Sequence, residues 1–215
     1  MLATLLLELS LGVYVLLRFK LNQKGRIILA LIICLAVFQA AEYFVCTQSG
    51  FAVAASRLGY VAITLLPPLG LYLMSLLTTP LAKLTKVLLM AITTTLITYF
   101  AVAPNAFQGY VCTGNYVIFQ IGSWQAWVYA LFYYSLLAAA IWRGSMQKQA
   151  KPSEDNALAI QWLLVGYLVF IVPVAVLVVF QPDSRDAIPS IMCGFAVTLA
   201  IILAAKLAPL VMKRA

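Results

Sequence analysis

Seven apolar runs divide the chain, and 12 of its 14 Lys and Arg residues fall in every second gap between or beyond them. The basic gaps hold Arg18, Lys20, Lys24 and Arg26, then Lys83 and Lys86, then Arg143, Lys148 and Lys151, and finally Lys206, Lys213 and Arg214. The alternate gaps hold Arg57 and Arg185 alone. Short connections rich in Lys and Arg stay on the cytoplasmic side of a membrane. The alternation therefore predicts an all-α integral membrane protein. Its fold is a seven-transmembrane-helix bundle, N-terminus outside and C-terminus cytoplasmic, forming one domain over residues 1–215.

The runs lie near residues 2–19, 27–47, 56–79, 86–103, 118–142, 157–181 and 188–211. Each approaches the ~20 apolar residues needed to cross ~30 Å of hydrocarbon. The chain is 65% hydrophobic and 9% charged, whereas soluble domains carry roughly 25% charged residues. The runs use up most of the 215 residues, so no room remains for a soluble catalytic domain. Function must reside in the bundle or its short loops. The net charge of +8 is the topology signal, and no stretch of Lys and Arg is dense enough to engage nucleic acid. The lipid bilayer, taken to be the plasma (inner) membrane, is the first expected partner. Residues 2–17 lack a basic leader, and their positive charges follow the apolar run, so a retained first helix is expected rather than a signal peptide.

Proline and turn residues mark the bundle's irregular places. Pro67-Pro68 sits in the middle of the third run, where two missing N–H groups are tolerated only against protein or water, so a bend facing the interior is expected. Pro173 predicts a kink in the sixth run. Segment 104–117, PNAFQGYVCTGNYV, is the longest outer connection and is rich in turn residues. The fifth run carries Trp124, Trp127, Tyr129, Phe132, Tyr133, Tyr134 and Trp142, with its terminal aromatics suited to the membrane interfaces. Ser153-Glu154-Asp155 reads as a helix start with acids in the first turn.

An ionised side chain inside hydrocarbon costs about 2.5–3.5 kcal/mol on insertion scales, so each one marks a candidate functional site. Glu8, Glu42 and Arg57 fall in the outer halves of the first three runs. The functional reading is an outward-opening polar pocket for a small ligand, bounded by these three with Gln39, Tyr43, Tyr60, Trp124, Gln125 and Ser190 at similar depth. The alternative reading is an internal Glu42–Arg57 ion pair holding the second run to the third, with Glu8 reaching outward. Cys46 and Cys112 both lie on the outer side, and an oxidising compartment would join them as a disulfide that pins loop 104–117 over the pocket. Cys34 and Cys193 read as small apolar packers. The chain contains no His and no Cys pair at metal spacing, so no metal and no cofactor are expected.

Two resemblances bear on function. A Lys in the seventh run and an Arg opening the third are similar to microbial rhodopsins, which would make Lys206 a retinal attachment point. The positions where that family carries its acids hold Tyr60 and Ile202 here, so Lys206 is expected to be a snorkelling lysine at the inner interface. Ala40-Ala41-Glu42-Tyr43, followed by Arg57-Leu58-Gly59-Tyr60-Val61 and Pro67-Pro68, resembles the seven-helix sensory region at the N-terminus of bacterial histidine kinases. These motifs span about a fifth of the chain. The resemblance implies a stand-alone sensory region, with no output domain after residue 215, that signals through a protein partner at its inner face or along the fifth helix. With no nucleophile–base set in view, no catalytic residue is assigned and no enzyme is expected. The expected function is a non-enzymatic, receptor-like membrane protein. The alternatives are a small transporter or channel using the intramembrane acids, or an accessory subunit of a larger membrane complex.

Overall fold

The computed structural model describes residues 1–47, 49–112, 117–146, 154–180 and 188–214. Helices dominate them: α1 (Leu2–Arg18), α2 (Gln23–Thr47), α3 (Ala52–Leu77), α4 (Lys83–Val102), α5 (Ser123–Met146), α6 (Glu154–Phe180) and α7 (Ile188–Ile202). The last continues through a π-helical turn, Leu203–Leu207, into a final α turn, Ala208–Val211. Four helices, α2 to α5, and the Glu154–Pro173 part of α6 are long and apolar enough to cross a membrane. Their outward faces carry bare apolar side chains such as Leu84, Met90, Trp127 and Leu131, each at least 69% exposed. Apolar surface of that extent belongs in lipid, and the fold is that of a membrane-embedded helical bundle. The first helix, at 17 residues, is about 26 Å long by its rise per residue.

The third helix runs through the middle, against α2, α4, α5 and α6, while α2 also touches α1 and α7. Pro67 and Pro68 lie inside α3 and are buried, so the two carbonyls they deprive of donors sit within the protein. Close by, Gly70 lets α6 approach: a methyl at its Cβ position would stand 2.4 Å from Tyr167 Oη. The π turn in α7 precedes Pro209. Without its N–H, Pro209 cannot bond the carbonyl four residues back, and its ring would crowd that group. Widening the turn, with the Ala208 N–H reaching Leu203 O, accommodates the proline inside a continuous helix.

The expected start of the fifth helix at 118 is corrected. Two strands pair there instead as the arms of a hairpin, β1 (Gly109–Cys112) antiparallel to β2 (Val117–Gln120), with Cys112 opposite Val117 and Gly109 opposite Gln120. Strand periodicity overrides apolar length here. Val117 and Phe119 point inward and are nearly fully buried, while Gln120 faces out.

Contacts between remote segments sort the connections into two ends. At the basic end the Lys20 N–H donates to Lys213 O, Asn22 Nδ2 to Val211 O, and Lys24 Nζ to Asn156 Oδ1. Arg143 meets Thr79 there as well. At the opposite, hairpin end, the Cys46–Cys112 disulfide joins α2 to β1 across a Cα–Cα distance of 5.8 Å. The basic-end contacts join the 20–24 segment to residues 211–213 and to the start of α6, and Arg143 to Thr79. Lys148, Lys151, Ser153 and Arg185 lie outside the described residues.

Candidate functional site

One stripe of α1 faces the bundle. Thr4, Glu8, Leu11, Gly12 and Val15 recur at helical spacing on its covered side, and Glu8 is fully buried. On α2, which is wrapped by α1, α3 and α7, Gln39 and Glu42 are buried as well, at 3% and 1% exposure. Both acids therefore face the protein interior rather than lipid, and Glu8 does not reach outward.

The polar contacts at this level run from α1 to the hairpin. Thr4 Oγ1 lies 2.6 Å from Met1 O and 2.9 Å from Gln39 Oε1. A hydroxyl has one hydrogen, so it donates to one of these, and turning the Gln39 amide over lets it accept at the other. One turn further along α2, Glu42 Oε1 accepts the Val117 N–H of β2 at 3.5 Å. Glu8 is near enough to Glu42 for the two carboxyl groups to interact electrostatically. Among the described residues neither oxygen of Glu8 has a hydrogen-bond partner. A buried carboxyl without donors is costly, and in native structures such a group calls for an explanation.

Other residues singled out in the sequence go elsewhere. Arg57, half-buried, does not join the acids: its guanidinium donates to Ala101 O at 2.7 Å and Ala103 O at 3.0 Å. Those carbonyls end α4, where helix bonding leaves acceptors unsatisfied and a cation meets the negative end of the dipole. The ion-pair reading of Arg57 is corrected accordingly; its role is to tie α3 to α4. Tyr60 is 1% exposed and stacks among Phe100, Phe107, Phe119 and Tyr129 at centroid distances of 4.8–5.6 Å. It belongs to an aromatic core beneath the hairpin, at separations that favour edge and offset ring contacts. Trp124 stands on the outside, 75% exposed. Gln125 donates through Nε2 to Tyr99 Oη at 3.2 Å, bridging α5 to α4. Tyr43 is half-buried, with its ring against neighbouring Phe44. The side chains of Ser190 and Cys193 lie outside the described residues.

The structure thus brings together Glu8, Gln39 and Glu42, and adds Thr4 and the Val117 N–H, which the sequence reading missed. Thr4 carried a usable signal, since it sits one turn before Glu8 on the same stripe. Cys46 and Cys112 are bonded, so β1, which pairs with the strand that reaches Glu42, is covalently fixed to α2. Among the described residues no three His, Cys, Asp or Glu side chains gather as metal ligands would. At the other end, exposed Lys206 lies with Nζ 5.1 Å from the centre of the Trp162 ring. Comparison of the chain with protein-family models, curated proteins and solved structures finds no match.

Proposed function

We propose that this chain is a non-enzymatic seven-pass membrane protein of the sensor or receptor kind, binding a small ligand at its hairpin end among Glu8, Gln39 and Glu42. The observation that carries the reading is the pair of wholly buried carboxyl groups, one lacking any donor, under a disulfide-anchored hairpin. Purely structural polar groups in a membrane bundle are normally satisfied, so an unsatisfied acid marks a functional site. In this reading α1 and the uninterrupted run of α7 complete seven crossings. The hairpin end faces outside and the basic end the cytoplasm of a plasma membrane, in keeping with the distribution of Lys and Arg. An oxidising outer compartment fits the disulfide. Ligand arriving beside α1 and α2 would move the proline-bearing α3 and α6 and change the inner face, where a protein partner would read it. The likeness of residues 40–43, 57–61 and 67–68 to kinase-linked sensory regions supports the same direction.

The test uses purified full-length protein in nanodiscs with a small-molecule library, scored by thermal midpoint. Saturable stabilisation by a compound, lost in Gln39→Ala and Glu42→Gln but kept in Trp124→Ala, is the expected result. If no compound shifts the midpoint, or if all three variants respond alike, the site is not a ligand site. The buried acids also admit a transporter, and liposome flux of the same compound would show that reading to be the right one.

A further inference from the structure

Near the basic end of α7 a lysine stands on the outward side of the bundle. The π turn packs Leu203, Ala204 and Leu207 into the core and leaves Ala205 and Lys206 exposed. Lys206 Nζ lies 5.1 Å from the centre of the half-buried Trp162 ring on α6, close enough for a cation–π contact. Among the described residues no carboxylate pairs with it. Glu154 and Asp155 share its helix partner, but they begin α6, about 10–12 Å before Trp162 by helical rise. Lys213 follows Lys206 by about 10 Å on the same measure, so Lys206 is set back from the rim of the bundle. A ring shields one side of an ammonium and supplies no counter-charge. An ammonium at that depth is costly until an anion reaches it. Beside the pair, towards the hairpin end, Val165 and Val172 of α6 and Ile201 of α7 are bare apolar surface.

We infer that Lys206 and Trp162 form the headgroup site for one anionic phospholipid of the leaflet at the basic end. Its phosphate pairs with Nζ, and an acyl chain lies along Val165, Val172 and Ile201. A phospholipid brings an anion and apolar chains together, and this surface presents a cation beside apolar side chains. An acidic protein segment would have to carry its own carboxylate and backbone into hydrocarbon. A free phosphate would have to shed its water to reach the same depth. A zwitterionic lipid holds its own cation next to the phosphate, so Nζ favours a lipid whose phosphate has none. Exposed Lys20, Lys213 and Arg214 edge the same end and attract anionic headgroups in general, whereas Lys206 on its ring gives one of them a fixed seat. This site is separate from the buried acids and does not depend on the ligand reading above.

Native mass spectrometry of the full-length protein in mild detergent counts bound lipids one at a time, with dioleoylphosphatidylglycerol and dioleoylphosphatidylcholine as the probes. The first phosphatidylglycerol should bind about fivefold more tightly than the first phosphatidylcholine, the attraction one lysine has for an anionic lipid. Lys206→Gln should abolish that preference, Lys206→Arg should keep it, and Trp162→Leu should weaken it. Lys213→Gln should leave the first binding step unchanged and weaken only later ones. Circular dichroism and the thermal midpoint in phosphatidylcholine nanodiscs show whether each variant is folded. In the parent, replacing phosphatidylcholine by phosphatidylglycerol should raise that midpoint, and inorganic phosphate should not. Equal binding of the two lipids by the parent would overturn the inference, as would an unchanged preference in Lys206→Gln. A loss in Lys213→Gln as large as in Lys206→Gln would overturn it too, by assigning the preference to the basic rim as a whole. Stabilisation by inorganic phosphate equal to that by phosphatidylglycerol would refute the lipid as occupant, since the site would then hold a free anion.

Discussion

Towards the basic end the core is mainly aliphatic, with Leu71, Leu73, Met74, Leu77, Leu137, Leu163, Leu203 and Leu207 and only Phe19 and Tyr167 as buried rings. Towards the hairpin end it turns aromatic around Phe38, Tyr60, Phe100, Phe119 and Tyr129. The buried acids, the buried Gln39 and the disulfide all lie in that second half. The basic half is held by interlocking apolar side chains plus a few bonds between helix ends. The hairpin half adds a covalent bond, backbone bonds from Arg57 and rings in mutual contact. Extra fastening beside a buried carboxyl without donors suits the binding site proposed above, because it holds a geometry that the unsatisfied group by itself would oppose.

The comparison breaks first at Phe100. Its ring is 1% exposed and lies 4.8 Å from Tyr60 and 5.4 Å from Tyr129 by centroid. Phe100→Ala should cost about 3–5 kcal/mol, as truncation of a buried ring does. The prediction has a spatial part. In hydrogen exchange by mass spectrometry, segment 109–120 should lose protection while Leu199–Val211 keeps it. Equal loss at both ends would mean that the two halves unfold as one unit.

The second effect is smaller and more local. Cys112→Ser opens a ring closed over a sequence separation of 66 residues and should cost about 2–4 kcal/mol. Beyond that loss, β1 would no longer be tied to α2, and the Val117–Glu42 contact would depend on packing alone. Limited proteolysis should then cut within 109–120 in the variant but not in the parent. A hairpin that stays protected after the substitution would assign its position to Val117 and Phe119 rather than to the disulfide.

Much of this contrast was legible in the sequence at the level of helices and ends. Charge placement assigned the gaps holding Lys20, Lys24 and Lys213 to one side, because cations are costly to move through lipid, whereas the contacts of Lys20 with Lys213 and of Lys24 with Asn156 are visible only in the structure. The Cys46–Cys112 pair followed from depth in the same way. The hairpin was not legible as such. Val117, Ile118 and Phe119 continue the apolar fifth run, and only the alternation with exposed Gln120 separates strand from helix over so short a stretch. The fate of Arg57 was hidden for a different reason. Its partners are main-chain carbonyls of Ala101 and Ala103, which any sequence would provide, so no residue type signalled the contact. Glu8 could be placed by depth, but its facing rested on Thr4 one turn away on the same stripe, a signal too small to use without the packing of α2 and α7 against α1.

The finest test concerns Glu8, where the sign matters more than the size. An apolar side chain of similar volume at this position removes two buried acceptors without donors and relieves the electrostatic opposition of Glu42. Replacing a buried polar group that has no partner by a packed apolar group is often neutral or stabilising. Glu8→Leu should therefore raise the unliganded thermal stability by about 1 kcal/mol, the low end of the cost of an unsatisfied buried group. Its helix should be unaffected, because leucine is a strong helix former. Gln39→Leu gives the control, since Gln39 has a partner in Thr4 and its removal should lower stability instead. Opposite signs at two buried polar residues on facing helices would separate a group kept for binding from one kept for structure. If Glu8→Leu lowers the midpoint as Gln39→Leu does, Glu8 is a fastening like the others in its half, and the contrast between site and scaffold disappears.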